Sequence, residues 1–333
     1  MVTHPVTLLF ADGVSHRMHV AEGTGLVEAA AADGLTLLTD CSNGQCGTCT
    51  GQLCSGTVRL EEYDRAVLPD GDREAGSILP CVSSVDGPCV IELPYDFSEA
   101  SAEEQPPISG RIAGITKVAE ETMQLEIDIE SPLVFEPGQY VRMRPPGQEQ
   151  WRSYSMASPS GHTRLVFYVR LVKGGMFSDW LSDSAEVGGE IELSVPRGSF
   201  FLRDEERPRL FVAGGTGLAP FLSMLASIAD DPARQRHSTT LLVGVRTAGH
   251  LFATDQLDAC RVRLPNLYIS LAAETGQANG CRPGYATDLI AGLGLDPRTR
   301  VYLCGPPPMV DAGRNACVVA GIARNDVLCE RFA

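Results

Sequence analysis

Cys41, Cys46 and Cys49 stand at C-x4-C-x2-C spacing, and Cys81 follows far downstream. Three thiolates on one tight loop and a fourth from elsewhere can ligate both irons of a [2Fe–2S] cluster, and this is the spacing of its plant-type form. Gly44 and Gly47 let such a loop fold back, so that backbone N–H groups point at the sulfurs. Zinc and a redox disulfide are the rival uses; zinc usually takes closely spaced pairs of cysteines, which the x4–x2 triple fits poorly. Cys54, Cys89, Cys260, Cys281, Cys317 and Cys329 have no ligand spacing and read mostly as small buried hydrophobes.

Five other stretches carry possible chemistry. Arg152, Ser153, Tyr154 and Ser155 lie between two strand-like segments, and Gly174-Gly175 follows about twenty residues later, leading into Met176, Phe177 and Ser178. Leu210–Ala213 is an apolar strand that runs into Gly214-Gly215-Thr216-Gly217, with Pro220 opening a helix. A glycine turn between a strand and a helix lets a dinucleotide pyrophosphate approach the helix N-terminus. Cys304-Gly305-Pro306 follows the last strong strand, and the chain closes on Glu330, Arg331, Phe332 and Ala333.

The elements around these stretches divide the chain in three. Residues 1–97 open with short alternating strands at Val6–Phe10 and Arg17–Val20, a helix over Leu26–Asp33 preceded by Thr24 as its cap, and a late strand at Val90–Leu93. Residues 98–107 are small and acidic and end in two prolines, a linker composition. Residues 108–205 are strand-rich, with Arg111–Ile115, Gln124–Ile129 and Leu165–Val169 separated by Gly and Pro turns, which predicts an antiparallel barrel. Residues 206–333 alternate strands and helices; the runs at Leu210–Ala213, Thr240–Gly244, Leu267–Leu271 and Val301–Cys304 are apolar enough for a parallel sheet buried on both faces.

Composition narrows the partners. The 333 residues carry a formal charge of −15, which repels phosphate backbones and argues against nucleic acid. Residues 1–100 hold fifteen Asp or Glu against four Arg and no Lys, a net of −11, so this segment offers an acidic docking face for a basic partner. No apolar run approaches the roughly 20 residues of a membrane helix, and the start of the chain lacks a secretory signal. Eleven cysteines, an odd number without an export signal, are expected as thiols or metal ligands in a reducing cytoplasm.

These motifs together resemble the ferredoxin–NAD(P) reductase superfamily. The order, with the cysteine loop first, is similar to the reductase components of two-component aromatic-ring dioxygenases of the benzoate and anthranilate type. The resemblance implies a β-grasp ferredoxin domain, a Greek-key flavin barrel and a Rossmann-like nicotinamide domain. It implies FAD binding, with Arg152 on the flavin phosphate, Tyr154 stacked on the ring, and Ser153 and Ser155 beside it, Ser155 near N5. Tyr168, Val169, Arg170, Gly174, Gly175, Met176, Phe177 and Ser178 would line the rest of the flavin site, and Phe332 would cover the ring. It implies that Gly214, Gly215, Thr216, Gly217, Pro220, Gly305 and Pro306 receive the dinucleotide. Cys304 would lie beside nicotinamide C4 with Glu330 near it, and Arg246 would stand at the adenosine end. Ser155, Cys304 and Glu330 are thus the expected catalytic residues. Ala272-Ala273-Glu274 offers no cation to a 2′-phosphate, which points to NADH. The implied activity is electron transfer from NADH through FAD and the cluster of Cys41, Cys46, Cys49 and Cys81 to a terminal oxygenase, by a monomer. A di-iron monooxygenase or a deoxysugar dehydratase is the other partner the resemblance admits.

Overall fold

The computed structural model describes residues 2–65, 67–101, 106–198, 200–276 and 280–332. The chain divides into two compact units, 1–105 (with 333) and 106–332.

The first unit runs β1 (Thr3–Leu9), β2 (Ser15–Ala21), α1 (Leu26–Ala32), β3 (Gly51–Leu60), α2 (Asp70–Glu74), β4 (Ser77–Ile78), β5 (Ser83–Glu92) and α3 (Phe97–Ser101). The sheet order is β2-β1-β5-β3-β4. β1 and β5 are parallel, with Val6 opposite Cys89, while β2 and β3 pair antiparallel to their neighbours. A mixed sheet grasping one helix is the β-grasp arrangement. Its core is set by alternation: Val6 and Leu8 of β1 and Ile91 of β5 point inward and meet Leu26 and Ala30 of α1.

α1 starts at Leu26 as expected and ends at Ala32, with Asp33 as its C-cap, but Gly25 and not Thr24 is the N-cap, without a side-chain cap bond. The reason lies in the sheet, where the Thr24 carbonyl accepts from Val85 N–H at 2.9 Å and so holds that residue in the β ladder's company. The expected linker 98–107 begins as helix instead. α3 docks its buried Ala100 on the first unit, and the Ala100 carbonyl accepts from Thr36 N–H at 2.7 Å. Residues 102–105 of that linker lie outside the described residues.

The second unit opens with β6 (Ile108–Ala119), β7 (Thr122–Leu133), β8 (Tyr140–Arg144), β9 (Arg152–Ser155), β10 (His162–Arg170), α4 (Met176–Asp183) and β11 (Glu190–Leu193). These strands form one antiparallel sheet of order β10-β7-β6-β11-β8-β9, curled around Leu125, Ile127, Val141, Met143, Leu165 and Phe167. The barrel stays open: β9 and β10 are edge strands, and just past β9 the Ala157 N–H donates to the Val166 carbonyl of β10 at 2.8 Å.

The unit continues with β12 (Arg209–Gly214), α5 (Ala219–Asp230), β13 (Thr239–Val245), α6 (Thr254–Arg263), β14 (Leu267–Ala273), β15 (Cys281–Pro283), β16 (Arg300–Gly305), α7 (Pro307–Val319) and β17 (Val327–Arg331). All six strands are parallel, in the order β15-β14-β13-β12-β16-β17. Every residue of β12 is buried, because α5 and α6 pack on one face of the sheet and α7 on the other. The strand order reverses at β12, between β13 and β16, and ligands of such sheets bind outside the carboxyl ends at that point.

Candidate functional site: a thiol cluster and a hydroxyl–carboxylate–thiol junction

In the first unit the loop after α1 brings four thiols together. Cys81 arrives on a short 3-10 turn, Pro80–Val82, and its Sγ lies 3.2 Å from Cys49 Sγ. The Cys41 side chain hydrogen-bonds with both Cys46 and Cys81, so the four form one continuous group. The N–H groups of Gln45 and Cys46 each donate to Cys41 Sγ at 3.3 Å. Gly44 makes this fold-back possible. Its φ is +74°, and a Cβ there would stand 2.7 Å from Tyr63 Cβ. Val67, Leu68 and Leu79 wall the loop from below.

The electrostatics follow from this mutual bonding. Hydrogen bonds from Cys46 and Cys81 pull the Cys41 thiol far below its ordinary value, and the bond from Cys81 lowers Cys49; Cys46 and Cys81 are pushed up by the same contacts. Among the described residues no group of three or more His, Cys, Asp and Glu is spaced as ready ligands of one metal ion. The donor set, four cysteines with N–H groups aimed at sulfur, fits a [2Fe–2S] cluster in its chemistry.

In the second unit the expected catalytic residues meet. β9 delivers Ser155, β16 delivers Cys304 at its carboxyl end, and β17 delivers Glu330 directly opposite Cys304 in the sheet register. Ser155 Oγ donates to Glu330 Oε2 at 3.1 Å, and Cys304 Sγ donates to the same oxygen at 3.5 Å. Cys304 is fully buried, and its burial, followed by the charge of Glu330, holds the thiol well above its ordinary value. It is therefore a neutral hydrogen-bond donor at physiological pH and not a thiolate nucleophile.

Around this junction Gly217 packs against the end of β16. A Cβ there would stand 2.2 Å from the Cys304 carbonyl oxygen, so only glycine lets the two backbones cross. Gly215, at φ +54°, turns the chain out of β12 into a 3-10 turn, Gly215–Leu218, before α5 begins with Pro220 in its first turn. Gly214 fits closely under Pro306, which would lie 2.8 Å from an added Cβ. Phe332 is half-buried against the core cluster that contains Ala157 and Tyr168, and its N–H donates to the Gly305 carbonyl at 3.1 Å.

The expected flavin residues separate into two groups. Arg152 is exposed, its guanidinium resting on the Trp151 carbonyl at 3.0 Å and on Gln150 Oε1 at 3.2 Å. Ser153 stands beside it on β9, opposite Arg142 of β8. The Tyr154 ring lies 4.9 Å from Phe177, and burial raises its phenol above the ordinary value. Gly174, at φ +76°, and the N-cap Gly175 lead into α4 with Met176 at its first position. The remaining side chains contact other parts of the chain. Val169 and Phe177 sit in the sheet's core, and Tyr168 is buried against Phe252 with its hydroxyl 3.2 Å from Gln256 Oε1. Ser178 Oγ accepts from Val172 N–H at 3.0 Å, and Arg170 lies 4.0 Å from Glu121. Arg246, expected at the adenosine end, is paired with Glu121 at 3.1 Å. Glu120 and Glu121 leave no local pattern in the sequence, because Arg246 and Thr247, which they meet, lie more than a hundred residues along the chain.

Comparison with known proteins agrees with this division. Residues 9–86 match the model of the 2Fe-2S iron-sulfur cluster binding domain, 109–202 that of the oxidoreductase FAD-binding domain, and 211–315 that of the oxidoreductase NAD-binding domain. The chain is 35% identical to the toluate 1,2-dioxygenase electron transfer component of Pseudomonas putida, over 100% of this chain and 99% of that one. It is 34% identical to the anthranilate 1,2-dioxygenase electron transfer component of Acinetobacter baylyi, over 99% and 98%. Among solved structures, an Amycolatopsis cytochrome P450 reductase superposes with a TM-score of 0.72 at 26% identity, covering 98% of each chain. The chain belongs to the family of iron–sulfur flavoprotein reductases that includes the toluate and anthranilate 1,2-dioxygenase electron transfer components.

Proposed function

We propose that the protein takes electrons from NADH and delivers them singly to a terminal aromatic-ring dioxygenase. The observation that carries the reading is the meeting of Ser155, Glu330 and Cys304 where the flavin-type sheet joins the nicotinamide-type sheet. When bound, FAD converts a hydride into single electrons and the [2Fe–2S] cluster carries them outward. The chain's own residues supply positioning. Arg152 is the anion partner for the flavin phosphate, and Tyr154 offers the aromatic face. Ser155 would hold a proton at its Oγ toward the flavin, and Glu330 fixes both that hydroxyl and the Cys304 thiol. Gly214, Gly215, Gly217, Gly305 and Pro306 leave room for a dinucleotide over the carboxyl ends of β12 and β16. Cys41, Cys46, Cys49 and Cys81 are the cluster ligands.

The acidic first unit is the docking face in this reading, and the protein works as a monomer in the cytoplasm. The segment Glu61, Glu62, Tyr63, Asp64 supports the docking assignment: it packs on the cysteine loop, with Asp64 N–H donating to the Gly44 carbonyl at 3.2 Å. No cysteine is paired in a disulfide, and among the described residues no helix is long and apolar enough to cross a membrane. Partner-dependent NADH oxidation with a purified ring-hydroxylating dioxygenase tests the docking face. Turnover should fall as salt rises from about 0.02 M to 0.5 M, while reduction of ferricyanide by the same protein changes little. Salt-independent partner turnover would remove the acidic docking face.

A further inference from the structure

β6 and β7 are joined by two residues, Glu120 and Glu121. Glu121 has φ +55°, the left-handed conformation that two-residue hairpin turns use and that side chains other than glycine rarely adopt. This strained tip grips the loop that follows β13. Glu120 N–H donates to the Gly249 carbonyl at 2.8 Å, and Glu120 Oε2 lies 3.4 Å from both Thr247 Oγ1 and His250 Nδ1. Glu121 Oε2 lies 3.1 Å from Arg246 Nη2, 3.8 Å from His250 Nε2 and 4.0 Å from Arg170. The Arg246 charge is the main influence holding the Glu121 carboxyl below its ordinary value.

Arg246 stands just past the carboxyl end of β13. The end of β14 is tied to it, because Glu274 N–H donates to the Val245 carbonyl and Thr275 N–H to the Arg246 carbonyl, both at 3.0 Å. On a sheet of this kind the adenosine ribose is read outside these strand ends: a carboxylate there suits a free 2′-hydroxyl, and an arginine suits a 2′-phosphate. Here a carboxylate, Glu274, and an arginine, Arg246, follow the adjoining ends of β14 and β13, and Arg246 Nη2 is engaged by Glu121 Oε2 at 3.1 Å and by His250 Nε2 at 2.7 Å.

We propose that the Glu120–Glu121 turn is a cofactor-selectivity element: by occupying Arg246 it denies a cation to the 2′-phosphate and turns the site toward NADH. The inference rests on reading the carboxyl edge of β12–β14 as the dinucleotide site. Glu121 touches no cofactor in this account and acts through Arg246. Releasing Arg246 should admit NADPH without new contacts to NADH.

Calorimetric titration of the flavin- and cluster-loaded protein with 2′-phospho-AMP and with 5′-AMP tests this. Glu121→Gln should tighten 2′-phospho-AMP by about fivefold, the upper end for an exposed ion pair, leave 5′-AMP unchanged, and raise the NADPH-to-NADH ratio of kcat/KM by a similar factor. Adding Arg246→Gln should abolish the gain. A merely structural clasp would shift both nucleotides together or neither, and either result overturns the proposal, as does a gain that survives loss of Arg246. Failure of both nucleotides to bind the wild-type protein would remove the dinucleotide site itself, and the proposal with it.

Discussion

Ser155, Glu330 and Cys304 come from three strands and share one carboxylate oxygen. Hydride transfer between stacked rings needs few acid–base groups and mainly needs the rings held close, so these side chains act as spacers and donors. Replacing Ser155 with Ala removes the hydroxyl without adding bulk. The rate of flavin reduction by NADH, followed by stopped flow, should fall about 10²-fold, the scale of a small misplacement at a reacting centre, with FAD content unchanged. An unaltered rate in a protein retaining its FAD would take Ser155 out of the reaction. The meeting of these three residues was legible from their motifs, because each motif names its own strand end. The burial of Tyr168, Val169, Phe177 and Ser178 was not. Adjacent residues on one strand or helix point in different directions, and a motif read as a line of letters does not say which faces the ligand.

At the scale of elements, the crossing of the 3-10 turn Gly215–Leu218 over the end of β16 fixes the nicotinamide half of the site. Gly217→Ala would set a methyl group against the Cys304 carbonyl oxygen, 2.2 Å away, and force the two backbones apart. We expect this variant to lose most NADH-dependent flavin reduction while the cluster in the first unit remains reducible by dithionite. A variant that keeps the wild-type rate would show that the crossing does not govern the site. The parallel strands were legible because burial on both faces leaves unbroken apolar runs, and β12 is buried at all six positions. The capping of α1 by Gly25 and the helical α3 were not. Thr24 is held by a sheet bond from Val85, and residues 97–101 fold because Ala100 docks on the first unit, both tertiary effects that composition does not record.

For the whole molecule, charge and chemistry are divided along the chain. The first hundred residues carry a net of −11 of the total −15, and they hold the four cysteines; the other 233 carry the flavin-type and nicotinamide-type sheets. Such a division suits a chain that receives paired electrons at one end of its sequence order and presents single ones at the other. The order of the three parts was legible from motif order alone, and the open edge between β9 and β10 was not, since closure depends on strand ends too short to read. The central claim is that electrons from NADH reach the cysteine cluster within this one chain. The most direct measurement is an anaerobic titration of the loaded protein with NADH, followed by visible absorbance and low-temperature EPR. The account predicts bleaching of the flavin and the appearance of a reduced [2Fe–2S] signal. Spectra unchanged by NADH but bleached by dithionite would contradict it.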